Sequence, residues 1–126
     1  MDAVIYARVS SSGDRQSTER QVIDLTEYAR KNSMTIVRTF EEHISGAKKN
    51  KERLVLNECL AYAVKNNIDI ILISELSRLG RNVDEVLANI RFCKNSHLNI
   101  YFQKEGISIF DADGKENPYL TIMIAV

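Results

Sequence analysis

Apolar positions follow two rhythms along this chain. Near the start, Ala3-Val4-Ile5-Tyr6-Ala7 runs without a polar break, as expected of a strand covered on both faces. A buried strand is predicted over 2–9, followed by a polar loop over 10–16. Val22, Leu25 and Ala29 then fall at helical spacing, predicting a helix over about 17–31. Met34 to Phe40 reads as a second strand, and Glu41 to Asn50 as a polar loop containing Gly46. Leu56, Cys59, Leu60 and Ala63 mark the apolar face of a second helix over about 52–66. Ile68 to Ile73 is the strongest strand signal. After a loop from Ser74 to Arg81, Val83, Val86, Leu87 and Ile90 predict a third helix. Asn82 is its expected N-cap, with Glu85 three residues on. Leu98 to Gln103 and Ile107 to Phe110 read as a fourth and a short fifth strand.

Strands alternating with helices predict an α/β fold, a mainly parallel sheet of about four to five strands flanked by helices. In such folds, ligands occupy the crevice beyond the carboxyl ends of the strands. The loops leaving strands one, two and three should therefore share a rim, and they carry Ser10, then Ser45 and Arg53, then Arg78 and Arg81. The end of the chain follows a different pattern. Pro118 suits a first helical position, and Tyr119 to Val126 is apolar on nearly every side. The expected organisation is one domain over 1–117 and, over 118–126, the start of a longer oligomerisation helix cut short.

Composition narrows this picture. The 126 residues suffice for one domain with a real core. Seventeen Lys and Arg balance seventeen Asp and Glu, so the basic bias of a self-sufficient nucleic-acid-binding domain is missing. Cys59 and Cys93 lie in apolar-periodic stretches without metal-ligand spacing, and are expected to be reduced core thiols. Asp2 and Arg8 break the N-terminal apolar stretch, and no run reaches membrane-spanning length. A cytoplasmic location away from membranes is expected.

The candidate chemistry starts with Arg8 and Ser10, a guanidinium and a hydroxyl at the end of a buried strand. A cation there calls for an anionic partner. A lone loop Ser is ordinarily just that, and a nucleophilic one normally needs a base. His43 and His97 stand alone and no Gly-x-Ser-x-Gly elbow surrounds Ser10, which argues against a hydrolase triad. Arginines gathered around a Ser suit phosphoryl transfer better, because guanidinium forks can follow charge spread over phosphate oxygens. Arg78 and Arg81, three apart, would project to one side if their turn is helical. Arginines beside a helix N-terminus are best explained by an anion bound there. Asp111-Ala112-Asp113-Gly114 lacks the later ligands of a calcium loop and reads as a surface turn. Asp2, Asp24, Asp69 and Glu75 show no paired-metal spacing, so metal-independent chemistry is expected. The residues alone leave two readings: a phosphoryl-transfer enzyme, or a non-catalytic phosphate- or nucleotide-binding regulatory α/β domain.

Four ordered motifs favour the first. Tyr6-Ala7-Arg8-Val9-Ser10 with Gln16-Ser17 and Gln21, Ser45-Gly46, Ser77-Arg78-Leu79-Gly80-Arg81, and Gly106-Ile107-Ser108 together resemble the catalytic domain of the serine recombinases, the resolvases and DNA invertases. The resemblance covers essentially the whole chain. It implies a resolvase-like catalytic domain for site-specific DNA strand exchange, in which Ser10 attacks the scissile phosphodiester and forms a 5′-phosphoserine bond. No cofactor or metal is implied, and the partners are a DNA recombination site and homodimers pairing into tetramers.

By position, the resemblance implies that Arg8, Arg78 and Arg81 bind the phosphate, with Tyr6, Gln16, Gln21, Ser45 and Ser77 in support. The arginine after the Ser-Gly loop falls on Arg53 if the loop carries a two-residue insertion, and on Lys51 otherwise; Arg53 keeps Leu56 of the following helix in register. Ser77 stands where the family usually has Asp, with Glu75 two residues away. The family's Glu-Arg pair and C-terminal DNA-binding region would lie beyond Val126, which accounts for the neutral charge.

Overall fold

The structure is a computed structural model and describes residues 1–10, 17–44 and 54–120. Gln16, Ser45, Lys51, Arg53 and residues 121–126 lie outside the described residues. The elements alternate: β1 (Asp2–Ser10), α1 (Thr18–Lys31), β2 (Thr35–Ile44), α2 (Leu54–Lys65), β3 (Ile70–Ile73), α3 (Val83–Asn95), β4 (Asn99–Phe102) and β5 (Ile107–Ser108). Among the described residues five strands form one sheet, ordered β2-β1-β3-β4-β5. All neighbours are parallel except the β4–β5 pair. The expected α/β architecture is the one found.

The unbroken apolar run of β1 is explained by two cores. Ala3 and Ile5 point to one face, where Leu25 and Ala29 of α1 pack with Ile70 and Leu72. Val4 and Tyr6 point to the other, where α2 supplies Leu56, Cys59, Leu60 and Ala63 and α3 supplies Val86, Ile90 and Cys93. A strand buried on both sides has no solvent face for polar residues to mark. Both cysteines are buried as free thiols. Burial pushes both thiols up, that of Cys93 to about 12.

Capping sets the helix ends. Ser17 accepts from the Arg20 amide at its Oγ (3.1 Å) and opens α1; Asn82 Oδ1 accepts from the Glu85 amide (2.9 Å) and opens α3, as its sequence predicts. The helices α1, α2 and α3 close in the same way. Met34, Ile68 and Leu98 each donate an amide back to the carbonyl five residues earlier, on Ala29, Ala63 and Cys93, at 2.9 Å. The residue before each donor is left-handed: Ser33 at φ 57°, Asn67 at 52° and His97 at 55°. These are Schellman closures built without glycine.

Two expectations need correction. The polar stretch Glu41–Ile44 is strand, not loop, because it pairs in register with Ala7–Ser10. The fifth strand stops at Ser108; beyond it, Phe110 bridges antiparallel to Glu116. The intervening turn is held by Asp111 Oδ1, which accepts from the amides of Asp113 and Lys115. That matches the expected surface turn. Residues 118–120 are helical, with Asn117 Oδ1 accepting from the Tyr119 amide and Leu120 buried in the larger core.

Candidate active site at the β1–β3 switch

The strand order reverses at β1 and β3, since the connection from β1 leads outward to β2 and the chain then returns to β3 on the other side. A crevice must open there between the loops leaving the two strands. Arg8 and Ser10 end β1; Ser77, Arg78 and Arg81 follow β3. Topology therefore brings the end of β1 and the loop after β3 to one rim.

Arg8 is held on both its backbone and its side chain. Its amide donates to Gln21 Oε1 (3.1 Å), and Gln21 Nε2 donates to its carbonyl (3.0 Å). Gln21 is 1% exposed and acts as a surrogate strand where the sheet runs out. The Arg8 guanidinium crosses the crevice, donating from Nη2 to the Ser77 carbonyl (2.5 Å) and from Nε to the Arg78 carbonyl (3.4 Å). The two carbonyls orient the guanidinium across the crevice.

The loop receiving Arg8 is itself braced. Leu76–Leu79 forms a 3₁₀ helix. Glu105 accepts from the Leu76 amide (3.1 Å), and Asn89 Nδ2 donates to the Leu79 carbonyl (2.7 Å). Ser77 Oγ donates to Glu75 Oε1 (2.6 Å), and Arg78, with its side chain only 12% exposed, has Nη2 3.9 Å from Glu75 Oε2. A crevice of about 160 Å³ beside this loop is lined by Gln21, Asp24, Ser74, Glu75, Gln103 and Lys104.

Arg81 stands apart. Gly80 is extended (φ −171°, ψ 166°) and ends the 3₁₀ helix, so Arg78 and Arg81 do not share one helical face. Arg81 folds instead onto α3, where Glu85 Oε1 accepts from its amide (2.9 Å) and Glu85 Oε2 from its Nε (3.1 Å), with Nη2 at 3.0 Å. The anion that the sequence demanded beside this helix N-terminus is, for Arg81, the chain's own Glu85. Gly80 permits the approach: a Cβ there would lie 2.7 Å from the Val86 amide nitrogen.

Tyr6 does not reach the rim surface. It is fully buried, and its hydroxyl donates to Glu42 Oε1 (2.5 Å). Glu42, 5% exposed, also accepts from the Val55 amide in the first turn of α2 (3.1 Å). Tyr6 thus ties β1 to β2 and α2, and any support it lends to a phosphate is indirect. Glu42 was hidden in the sequence inside a stretch that read as loop. Its one local signal is a carboxylate two residues after the buried Phe40. Among the described residues no cluster of His, Cys, Asp or Glu suits a metal ion, and no helix is long and apolar enough to cross a membrane.

Fold and rim define a class: a parallel α/β domain with arginines gathered at its switch point. Residues 3–126 match the family described as "Resolvase, N terminal domain". The chain belongs to that family. A "Resolvase/recombinase" of Pseudomonas putida is 31% identical over 121 residues, covering 96% of this chain and 60% of that protein. The chain thus spans about three fifths of the length of this curated relative. Among solved structures, the N-terminal catalytic domain of TP901-1 integrase superposes with a TM-score of 0.77 at 23% identity, over 99% of this chain and 92% of that one. A resolvase family site-specific recombinase from Streptococcus pneumoniae gives 0.76 at 22% identity, over 99% and 83%. The C-terminal catalytic domain of an IS607-like serine recombinase gives 0.68 at 27% identity, over 82% and 67%. At the first two identities the likeness speaks for the fold.

Proposed function

We propose that this chain is the catalytic domain of a site-specific DNA recombinase, with Ser10 as the nucleophile. The Ser10 oxygen forms a bond to the scissile phosphorus while the bond from phosphorus to the 3′ oxygen breaks. Ser10 loses its proton and the 3′ oxygen gains one. The phosphoserine bond conserves the energy of the phosphodiester, and reversal onto a new 3′-hydroxyl rejoins the strand. Arg8, Arg78 and Arg81, with Arg53 from the second loop, stabilise the negative charge on the phosphate oxygens during both steps. Gln16, Gln21, Ser45 and Ser77 support that site, and Tyr6 supports it from within the core.

The observation that carries this reading is the Arg8 crossing. A guanidinium two residues before Ser10 is bonded to the Ser77 and Arg78 carbonyls, so the end of β1 and the arginine loop after β3 form one unit. Such an arrangement suits a phosphate at the strand end. Residues 118–126, after the domain over 1–117, would open a helix through which homodimers form and pair into tetramers. The protein would work on DNA in the cytoplasm.

The test is covalent capture. The full-length protein is incubated with genomic DNA from its own source, and denaturing washes retain only DNA bonded to protein. Adducts are expected at discrete sites with the wild type and none with Ser10→Ala. Adducts that persist in the variant would overturn the assignment of Ser10. Phosphate binding without any adduct would favour the regulatory domain instead.

A further inference from the structure

We infer that Glu75 is a positioning residue for the arginine pair, acting through Ser77 and Arg78 to hold Arg8 at the end of β1; the inference rests on the recombinase reading above. Glu75 precedes the 3₁₀ helix in extended conformation, and its carbonyl accepts from the Arg78 amide at 3.0 Å. Its carboxylate serves two partners at once. Oε1 takes the Ser77 hydroxyl at 2.6 Å, and Oε2 lies 3.9 Å from Arg78 Nη2.

Those two partners are the residues whose carbonyls receive Arg8. Fixing the Ser77 side chain and the Arg78 guanidinium limits rotation of the peptides on either side. The carbonyl that meets Arg8 Nη2 is then presented in one direction. Carboxylate acceptors are roughly twice as strong as neutral ones, which suits a brace holding a short loop between two cations. Gln21 holds Arg8 from the opposite side and shares with Glu75 the wall of the same crevice. Arg8 is therefore clamped between an amide on α1 and a carboxylate-braced turn after β3. Glu75 is partly exposed, 23% for its side chain, so its replacement does not open a core.

The inference predicts a loss of chemistry without a loss of binding. Glu75→Gln should slow Ser10–DNA adduct formation at saturating DNA by about tenfold or more, with affinity for the same captured DNA changed by less than about threefold. Its melting temperature should match the wild type. Glu75→Asp keeps the charge and should recover most of the rate. Ser77→Ala should slow the reaction in the same sense, and the double variant with Glu75→Gln should be no slower than the slower single one.

A second readout needs no reaction. Exchange of the Arg8 Nε proton, followed by NMR in the protein without DNA, should accelerate in Glu75→Gln and return in Glu75→Asp. Unchanged exchange, or a rate loss that tracks a falling melting temperature, would overturn the inference. If the wild type itself forms no adduct while Glu75→Gln still loosens Arg8, the recombinase reading falls and the positioning role stands.

Discussion

Two arginines of this rim are anchored by opposite means. Arg8 is oriented by the carbonyls of Ser77 and Arg78, and its backbone by Gln21. Arg81 is grasped through side chain and amide by one carboxylate, Glu85. Backbone carbonyls fix the direction of a guanidinium relative to the loop that carries them. A carboxylate aims it and offsets the charge as well. The difference separates a cation that ties two rim loops together from one folded back onto its own helix. Such a division follows from where each residue sits: Arg8 ends a buried strand, whereas Arg81 opens a surface helix.

The largest effect should fall on the carbonyl-held arginine. Arg8→Ala is expected to lower the rate of adduct formation by roughly 100- to 1,000-fold, the scale of removing one preorganised charge donor. Arg8→Lys should not restore it, because an ammonium cannot span two carbonyls as a planar fork does. Arg81→Ala should cost about tenfold, since Glu85 already offsets part of its charge, and Arg81→Lys should retain part of the activity. Equal losses at the two positions, measured by single-turnover kinetics on one captured site, would erase the distinction.

A smaller effect should separate the two anchors by stability. In Gly80→Ala the added Cβ would meet the Val86 amide nitrogen at 2.7 Å and Glu85 Cβ at 2.8 Å. Overpacking of this kind costs about 1–3 kcal/mol. Melting should reveal the loss, and the Arg81–Glu85 contact should loosen while Gln21 keeps its hold on the Arg8 backbone. NMR signals of the two arginines report each side separately.

The smallest effect lies away from the rim. Burial raises the Cys59 thiol and raises that of Cys93 to about 12, against about 8.5 in an unfolded chain. The folded state therefore holds its protons longer. This contribution is fully present below about pH 8.5 and is lost as pH rises beyond it. Melting temperatures taken upward from neutral pH should fall more steeply for the wild type than for a Cys59→Ala, Cys93→Ala variant. Parallel slopes would show that the thiols play no part.

The sequence exposed the frame of this protein more readily than its joints. β1 and β3 were legible as short unbroken apolar runs rich in β-branched residues, and the three helices as apolar positions at helical spacing. The extension of β2 through Ile44 was not. Glu41-Glu42-His43 looks like loop unless one knows that the Tyr6 hydroxyl and the Val55 amide wait for Glu42. Those partners lie 36 and 13 residues away in sequence. Arg8, Arg78 and Arg81 could be picked out by residue type and order. Their anchors could not, because Arg8 uses two backbone carbonyls about seventy residues along, and a carbonyl has no letter of its own. Glu85 was visible as a capping residue but not as the partner of Arg81.

The Schellman closures at Ser33, Asn67 and His97 have a consequence for how this protein can change. Every described turn from helix to strand holds an L-residue at positive φ, a conformation that costs roughly 1–2 kcal/mol where a side chain is present. All three lie at the edge where strands begin, whereas the arginines gather where strands end. Tolerance for new mutations is thus stored at one pole of the sheet and chemistry at the other. Glycine at any of the three would release strain there, offset in part by glycine's greater backbone entropy when unfolded. A lineage under pressure to alter its rim could draw thermal margin from the far edge without disturbing the arginine loop after β3.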